Sequence, residues 1–219
     1  SIALDDIYRF GSLTFNSAGA VSIAESNATE VTGSNTGASL ALFSGGALTN
    51  AAGPSIVIGG SGAVRGTSIS LGGEAGDTLN LGTLTFNSAG AVVISEDSAT
   101  ELTGTSTALS LDLNSGGAIG NAAATSVTVT GNADFADTGG AGITLDQTYS
   151  FGTLTFNSAG AVAISETGAT VLSGTSTAAS LDLDSTAGIS DDGTVNLTVT
   201  GVTGLAEFTG TSISLDDTY

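Results

Sequence analysis

The chain has 219 residues, 33 of them Gly and only one Pro, with no Cys, His, Met or Trp. Its two cations, Arg9 and Arg65, stand against 21 acidic residues, for a net charge of −19. Such a surface repels nucleic acid and anionic lipid, and the missing thiols exclude a disulfide framework and thiolate metal sites.

Hydrophobic residues make up 40% of the chain and charged ones 11%, which is the balance of a folded core rather than a solvated tail. No stretch approaches the roughly 18 apolar residues that cross a bilayer, so no membrane insertion is expected. The first residues, SIALDDIY, lack the basic start and apolar block of a signal peptide.

The first element is the alternating run Ile2-Ala3-Leu4-Asp5-Asp6-Ile7-Tyr8. Next comes LTFNSAGAV at 13–21, which returns at 84–92 and again at 154–162. SLALFSGGALTNAA at 39–52 returns as SLDLNSGGAIGNAA at 110–123 and, more loosely, as SLDLDSTAGISDDG at 180–193. Ile56/Ile58, Val127/Val129 and Leu197/Val199 occupy equivalent places, while GGEAGDTLN at 72–80 is a small insertion. Residues 84–113 and 154–183 share 24 identities in 30 positions. The chain therefore reads as a single unit, 1–219, made of three repeats of about 70 residues: about 10–80, 81–150 and 151–219.

Within the third repeat, short period-two runs fall at 154–156, 162–164, 170–172, 181–183, 188–189, 195–199, 205–208 and 213–215. Each has one buried face, and Gly-, Ser- and Asp-rich turns separate them. A ninth place holds Tyr219, answering Tyr149/Phe151 one repeat earlier. No segment has a helical period. Nine short strands wound in threes make coils of roughly 23 residues, stacked at about 4.8 Å. The expected fold is all-β: a parallel, right-handed β-solenoid with about three short strands per coil and about nine coils, roughly 43 Å long. The alternative, tandem antiparallel sandwiches, calls for longer strands and large core aromatics.

The runs AVAISETGATVLSGTSTAASLDL at 161–183 and GTSISLDDTY at 210–219 give the whole chain a texture that resembles the long bacterial β-strand-repeat surface proteins. These are filamentous-haemagglutinin-like exoproteins and autotransporter passenger-like adhesins. The resemblance implies export and display at the bacterial surface as a rod, for adhesion or as a coat. The secretion domain and outer-membrane barrel of those families have no counterpart in these residues.

The residue inventory is poor in catalysts: without His, Cys or Lys the usual nucleophile–base pairs cannot form, and no enzymatic activity is expected. The paired carboxylates Asp5/Asp6, Asp191/Asp192 and Asp216/Asp217 read as turn residues, the first and last being repeat copies of one another. GGEAGDTLN nearly matches the calcium nonapeptide G-G-x-G-x-D-x-U-x, with Asp77 in the ligand position and Ala75 where a second glycine belongs. Such motifs bind in tandem and this one is single, so a Gly-rich corner loop is the competing reading. Asp77 is thus a weak Ca²⁺ candidate, and Asp5, Asp6, Asp216 and Asp217 are weaker ones. Tyr8, Tyr149 and Tyr219 share a repeat position with Leu79 and read as packing residues rather than a sugar-stacking ladder. Phe15, Phe86 and Phe156 read as core. Asn16, Asn87 and Asn157 read as stacked amides in neighbouring coils.

Two functions from different classes fit these features. One is a structural segment of an extracellular fibre, sheath or surface rod. The other is a stalk or ligand-binding passenger of an adhesin, whose receptor or glycan the sequence does not name. A binding face would break the repeat with exposed aromatics, whereas the repeat here drifts mildly. Ile2–Tyr8 matches Ile213–Tyr219 at an offset of 211, so the chain stops at the phase in which it began. The expected partners are therefore identical copies or flanking repeats joined end to end, in a longer array that propagates as a filament.

Overall fold

Alternating sequence becomes alternating burial along nearly every strand of the computed structural model, which describes residues 1–202 and 204–216. In Ala91–Glu96, for example, Val92, Ile94 and Glu96 point inward while the residues between them face out. No described residue is helical. Among the described residues all strand pairings are parallel and join 25 strands into one continuous sheet, which sets aside the antiparallel sandwich. The molecule is a parallel β-solenoid of about ten coils. Ile2, Val21, Leu40, Gly62 and Leu84 are successive partners, so a coil takes about 19–22 residues. That is slightly shorter than the spacing predicts, and it accounts for the extra coil.

Each coil has two sides. One is a straight rung of about six residues, such as Ser39–Ser44 or Ser110–Ser115. The other is bent into two short strands, such as Thr29–Val31 with Ser34–Gly37, or Thr100–Leu102 with Thr105–Ala108. This gives the three strands per coil expected from the sequence. The bend turns on Gly33, Gly104 and Gly174, whose φ values of 67°, 65° and 62° lie in the left-handed region that a Cβ disfavours.

The repeat does not contain a whole number of coils. From Leu13 the stack passes to Val31 in the strand Thr29–Val31, whose Thr29 partners Leu48, and continues through Ile69, Val92, Leu111 and Ala133 to Leu154, which is seven coil steps for two repeats. One repeat is therefore three and a half coils. Leu84 lies on the opposite side of the rod, stacked between Gly62 and Leu102. At each LTFNSAGAV motif two straight rungs follow one another, 84–88 and 91–96 in the second repeat, and the straight and bent sides exchange faces.

The core is built of Val, Ile, Leu and Phe, with Phe86, Phe135 and Phe156 fully enclosed. Phe15 is also buried, as expected for the inward end of LTF. Tyr149 is enclosed too, and its hydroxyl donates to Asn121 Oδ1 at 2.8 Å, so packing rather than sugar stacking explains it. Tyr8 is half-buried and stacks on Phe10 with ring centroids 5.6 Å apart; Tyr219 lies outside the described residues.

Candidate functional site

Exchanging faces costs backbone hydrogen bonds, because a straight rung then lies on a bent one. Residues 84–87 meet the next coil only at Leu102 and Thr107, leaving the Phe86 N–H between them without a strand partner. It donates instead to Ser106 Oγ at 3.1 Å. The same position is served by Asn35 Oδ1 for Phe15, at 2.8 Å, and by Ser176 Oγ for Phe156, at 3.1 Å. Below the second straight rung the mismatch is mirrored. Leu81 N–H donates to Glu96 Oε1 at 3.0 Å, Phe151 N–H to Glu166 Oε2 at 3.1 Å, and Phe10 N–H to Glu25 Oε2 at 3.4 Å.

These glutamates are buried, at 4% exposure for Glu96 and 2% for Glu166. Desolvation outweighs their hydrogen bonds and pushes both carboxyls up to about 7. The sequence carries the signal for them. Glu96 falls in phase with Val92 and Ile94, as Glu25 and Glu166 do in their repeats.

Asn16, Asn87 and Asn157 do not stack on one another, because successive copies lie three and a half coils apart on opposite faces. Each bonds across to the bent rung of the adjoining coil. Thr36, Thr107 and Thr177 donate to their side-chain oxygens at 3.1, 3.1 and 3.2 Å.

The acidic residues singled out in the sequence are dispersed. Asp77 pins its inserted loop: its carboxylate accepts from Asn50 Nδ2, Gly53 N and Glu74 N, each at 2.8 Å. Asn50 in turn accepts from Gly72 N at 2.8 Å. The equivalent Asn121 accepts from Asp146 N at 3.0 Å, and Asp191 from Asp216 N at 3.1 Å. Asp5 is exposed on the first rung and accepts from Ser22 Oγ at 2.7 Å, with Asp6 exposed beside it. Asp191 and Asp192 accept from Gly193 N and Thr194 N in their own turn. Asp216 is exposed near the far end of the rod; Asp217 lies outside the described residues. Among the described residues, no group of three or more acidic side chains converges closely enough to hold a metal ion.

One outward feature escaped the sequence reading. A groove of about 800 Å³ lies along the straight side of the first repeat, with Phe43, Arg65 and Asn87 among its lining residues. Phe43 and Arg65 are 22 positions apart in sequence but are strand partners, as are Arg65 and Asn87.

The comparisons with known proteins place part of the chain. Residues 89–157 match the model of a family described as repeats of unknown function (DUF5649), a span close to one repeat. Neither the curated proteins nor the solved structures yield a match.

Proposed function

We propose that this chain is a structural segment of an extracellular bacterial fibre, sheath or surface rod, without catalytic activity. The observation that carries this reading is the repeat's half-integral step. Each unit hands its ladder to the next with the straight and bent sides exchanged, so repeats extend the rod without a change of register. Identical copies or flanking repeats joined end to end would continue the same ladder, in the open, propagating manner of a heterologous contact. The texture shared with filamentous-haemagglutinin-like exoproteins and autotransporter passengers supports display at the cell surface. So does a polar surface built mostly from Ser and Thr, in a sequence lacking Lys, Cys and His.

The test is electron microscopy of the native material together with light scattering of the isolated chain over a concentration series. Thin rods about one solenoid wide, lengthening with concentration or with the number of repeats in the parent protein, are expected. A particle that stays monomeric at high concentration, from a parent without flanking repeats, would refute the reading.

A further inference from the structure

The three repeats present the same outward ladders with different chemistry, and the first departs from the other two. On the straight side its inner ladder is Ala41–Ala63–Thr85. The second repeat has Asp112–Asp134–Thr155 there, and the third has Asp182–Glu207. The next ladder outward is Phe43–Arg65–Asn87 in the first repeat, Asn114–Ala136–Asn157 in the second and Asp184–Thr209 in the third. Acid has thus been cleared from one stretch of a strongly acidic rod, and an aromatic ring and a guanidinium stand in its place.

The groove follows from side-chain size. Ala41 and Ala63 keep the inner ladder low, while Phe43, 43% exposed, and Arg65 rise beside them on adjacent rungs about 4.8 Å apart. Hydroxyl and amide groups of Thr85, Asn87 and Thr107 close the upper end. Glu25 is the one acidic residue lining the groove, and it belongs to the buried inward row at 6% exposure. At about 800 Å³ the volume suits a small ligand rather than a protein face.

We infer that this groove is a binding site for a saccharide carrying a single carboxylate. Arg65 pairs with the carboxylate through its planar fork of donors, Phe43 offers a flat apolar face to the C–H side of the pyranose ring, and the hydroxyl and amide rim meets the sugar hydroxyls. The charge count selects this class over an acidic peptide. One cation serves one carboxylate, whereas a run of acidic side chains meets a single Arg in the field of 21 acidic residues. The site is independent of whether rods join end to end.

The test is a titration of the ¹⁵N-labelled chain with cellobiouronic acid, which bears one carboxylate, with neutral cellobiose, and with a tetraglutamate peptide. Cellobiouronic acid is expected to move the amide signals of residues 63–67 and 85–87. Cellobiose should bind about tenfold or more weakly, the weight of a hydrogen bond to a charged group. Arg65→Ala should weaken the acidic sugar by a similar factor. Phe43→Asn should weaken both sugars alike, by about fivefold, as expected for loss of an apolar contact of roughly 1 kcal/mol. Both substitutions install the residue that the second repeat carries on the same ladder, so the fold tolerates them, and unchanged signals elsewhere would verify it. Absence of shifts with the acidic sugar, binding that Arg65→Ala leaves intact, or equal binding of tetraglutamate would each overturn the assignment.

Discussion

Replacing Glu96 by Gln isolates what the buried carboxyl does where the rungs exchange faces. Burial raises Glu96 from 4.5 to about 7, so the folded chain holds this proton to a higher pH than the unfolded chain does. The balance is undisturbed below about 4.5 and stability is lost as pH rises through about 7. At 1.36 kcal/mol per pH unit, the shift corresponds to about 3 kcal/mol, less whatever water entry relieves. Gln keeps an oxygen for the Leu81 N–H and an NH₂ that can donate to Thr100 Oγ1, which now donates to Glu96 Oε2 at 2.6 Å. It therefore imitates the protonated acid. Urea unfolding at pH 5 and pH 8 is the assay. Glu96→Gln should be close to the parent at pH 5 and more stable by up to about 3 kcal/mol at pH 8. Removing any negative charge relieves the rod's self-repulsion, so the exposed Glu101→Gln serves as the control. If both variants gain equally at pH 8, the carboxyl is not the site of the pH dependence and the desolvation argument fails. Glu166, raised to about 7 by the same burial, should repeat the result in the third repeat.

Phe86→Ala should cost about 3–5 kcal/mol from lost burial and a cavity, whereas Thr85→Ala, outward on the same strand, should cost about 1 kcal/mol for its bond to Thr103 O; equal shifts in the urea midpoint would invert the assigned faces. Ser106→Ala orphans the buried Phe86 N–H and should cost about 1–3 kcal/mol by the same measurement, and no loss would show that the N–H finds another partner. With the Asp77 oxygens already taken by three N–H donors, the melting temperature should rise with ionic strength but gain nothing further from millimolar Ca²⁺ over a matched salt control. Excising 84–153 joins Thr83 to Leu154 within the same motif and should leave a cooperatively unfolding solenoid, whereas excising 84–143 should not, because it brings a bent side where a straight one is required; equal cooperativity by circular dichroism melts would count against the half-coil repeat.

The fold was legible because its determinants are local. Alternation fixes which residues of a strand face inward, and Gly-Ser-Asp turns fix where a side ends, so Phe86, Phe156 and Tyr149 were placed from sequence alone. What lies between coils was not legible. Self-comparison aligns Leu13 with Leu84 but does not reveal that they face opposite sides of the rod, because that depends on coil length to within a few residues. The expected amide ladder of Asn16, Asn87 and Asn157 failed for this reason. Phe43 and Arg65 look like scattered substitutions in the chain and become neighbours only when a coil of 22 residues brings them together. The buried glutamates were within reach of period-two reasoning, since each falls on the inward phase of its strand.

The half-coil step also explains why the most inert motif is the most faithfully repeated. Elsewhere along the rod like stacks on like, straight on straight or bent on bent, and the strands pair through their backbones in continuous registers such as Ala91–Glu96 on Ser110–Ser115. Such rungs tolerate drift, provided that the inward side chains remain apolar and of similar size. At LTFNSAGAV straight meets bent on both sides at once, and side chains must supply what the backbone cannot. Ser106 or its equivalents serve one face, and the glutamate six residues past the SAG corner serves the other. The corner itself has little freedom, because Ser88 Oγ accepts from Gly90 N at 3.0 Å and a Cβ on Gly90 would fall against the Thr67 carbonyl. The motif is therefore constrained by geometry at three places within a dozen residues, whereas the outward ladders beyond it, at positions such as Ala41, Phe43, Ala63 and Arg65, face solvent and need not fill a core. The outward ladders are where the repeats diverge, into stacked acids in the second and third repeats and into Phe43 and Arg65 in the first. Because successive repeats exchange faces, a groove carried by one repeat looks out on the opposite side from the corresponding ladder of the next, and neighbouring repeats can differ in surface chemistry without crowding one another.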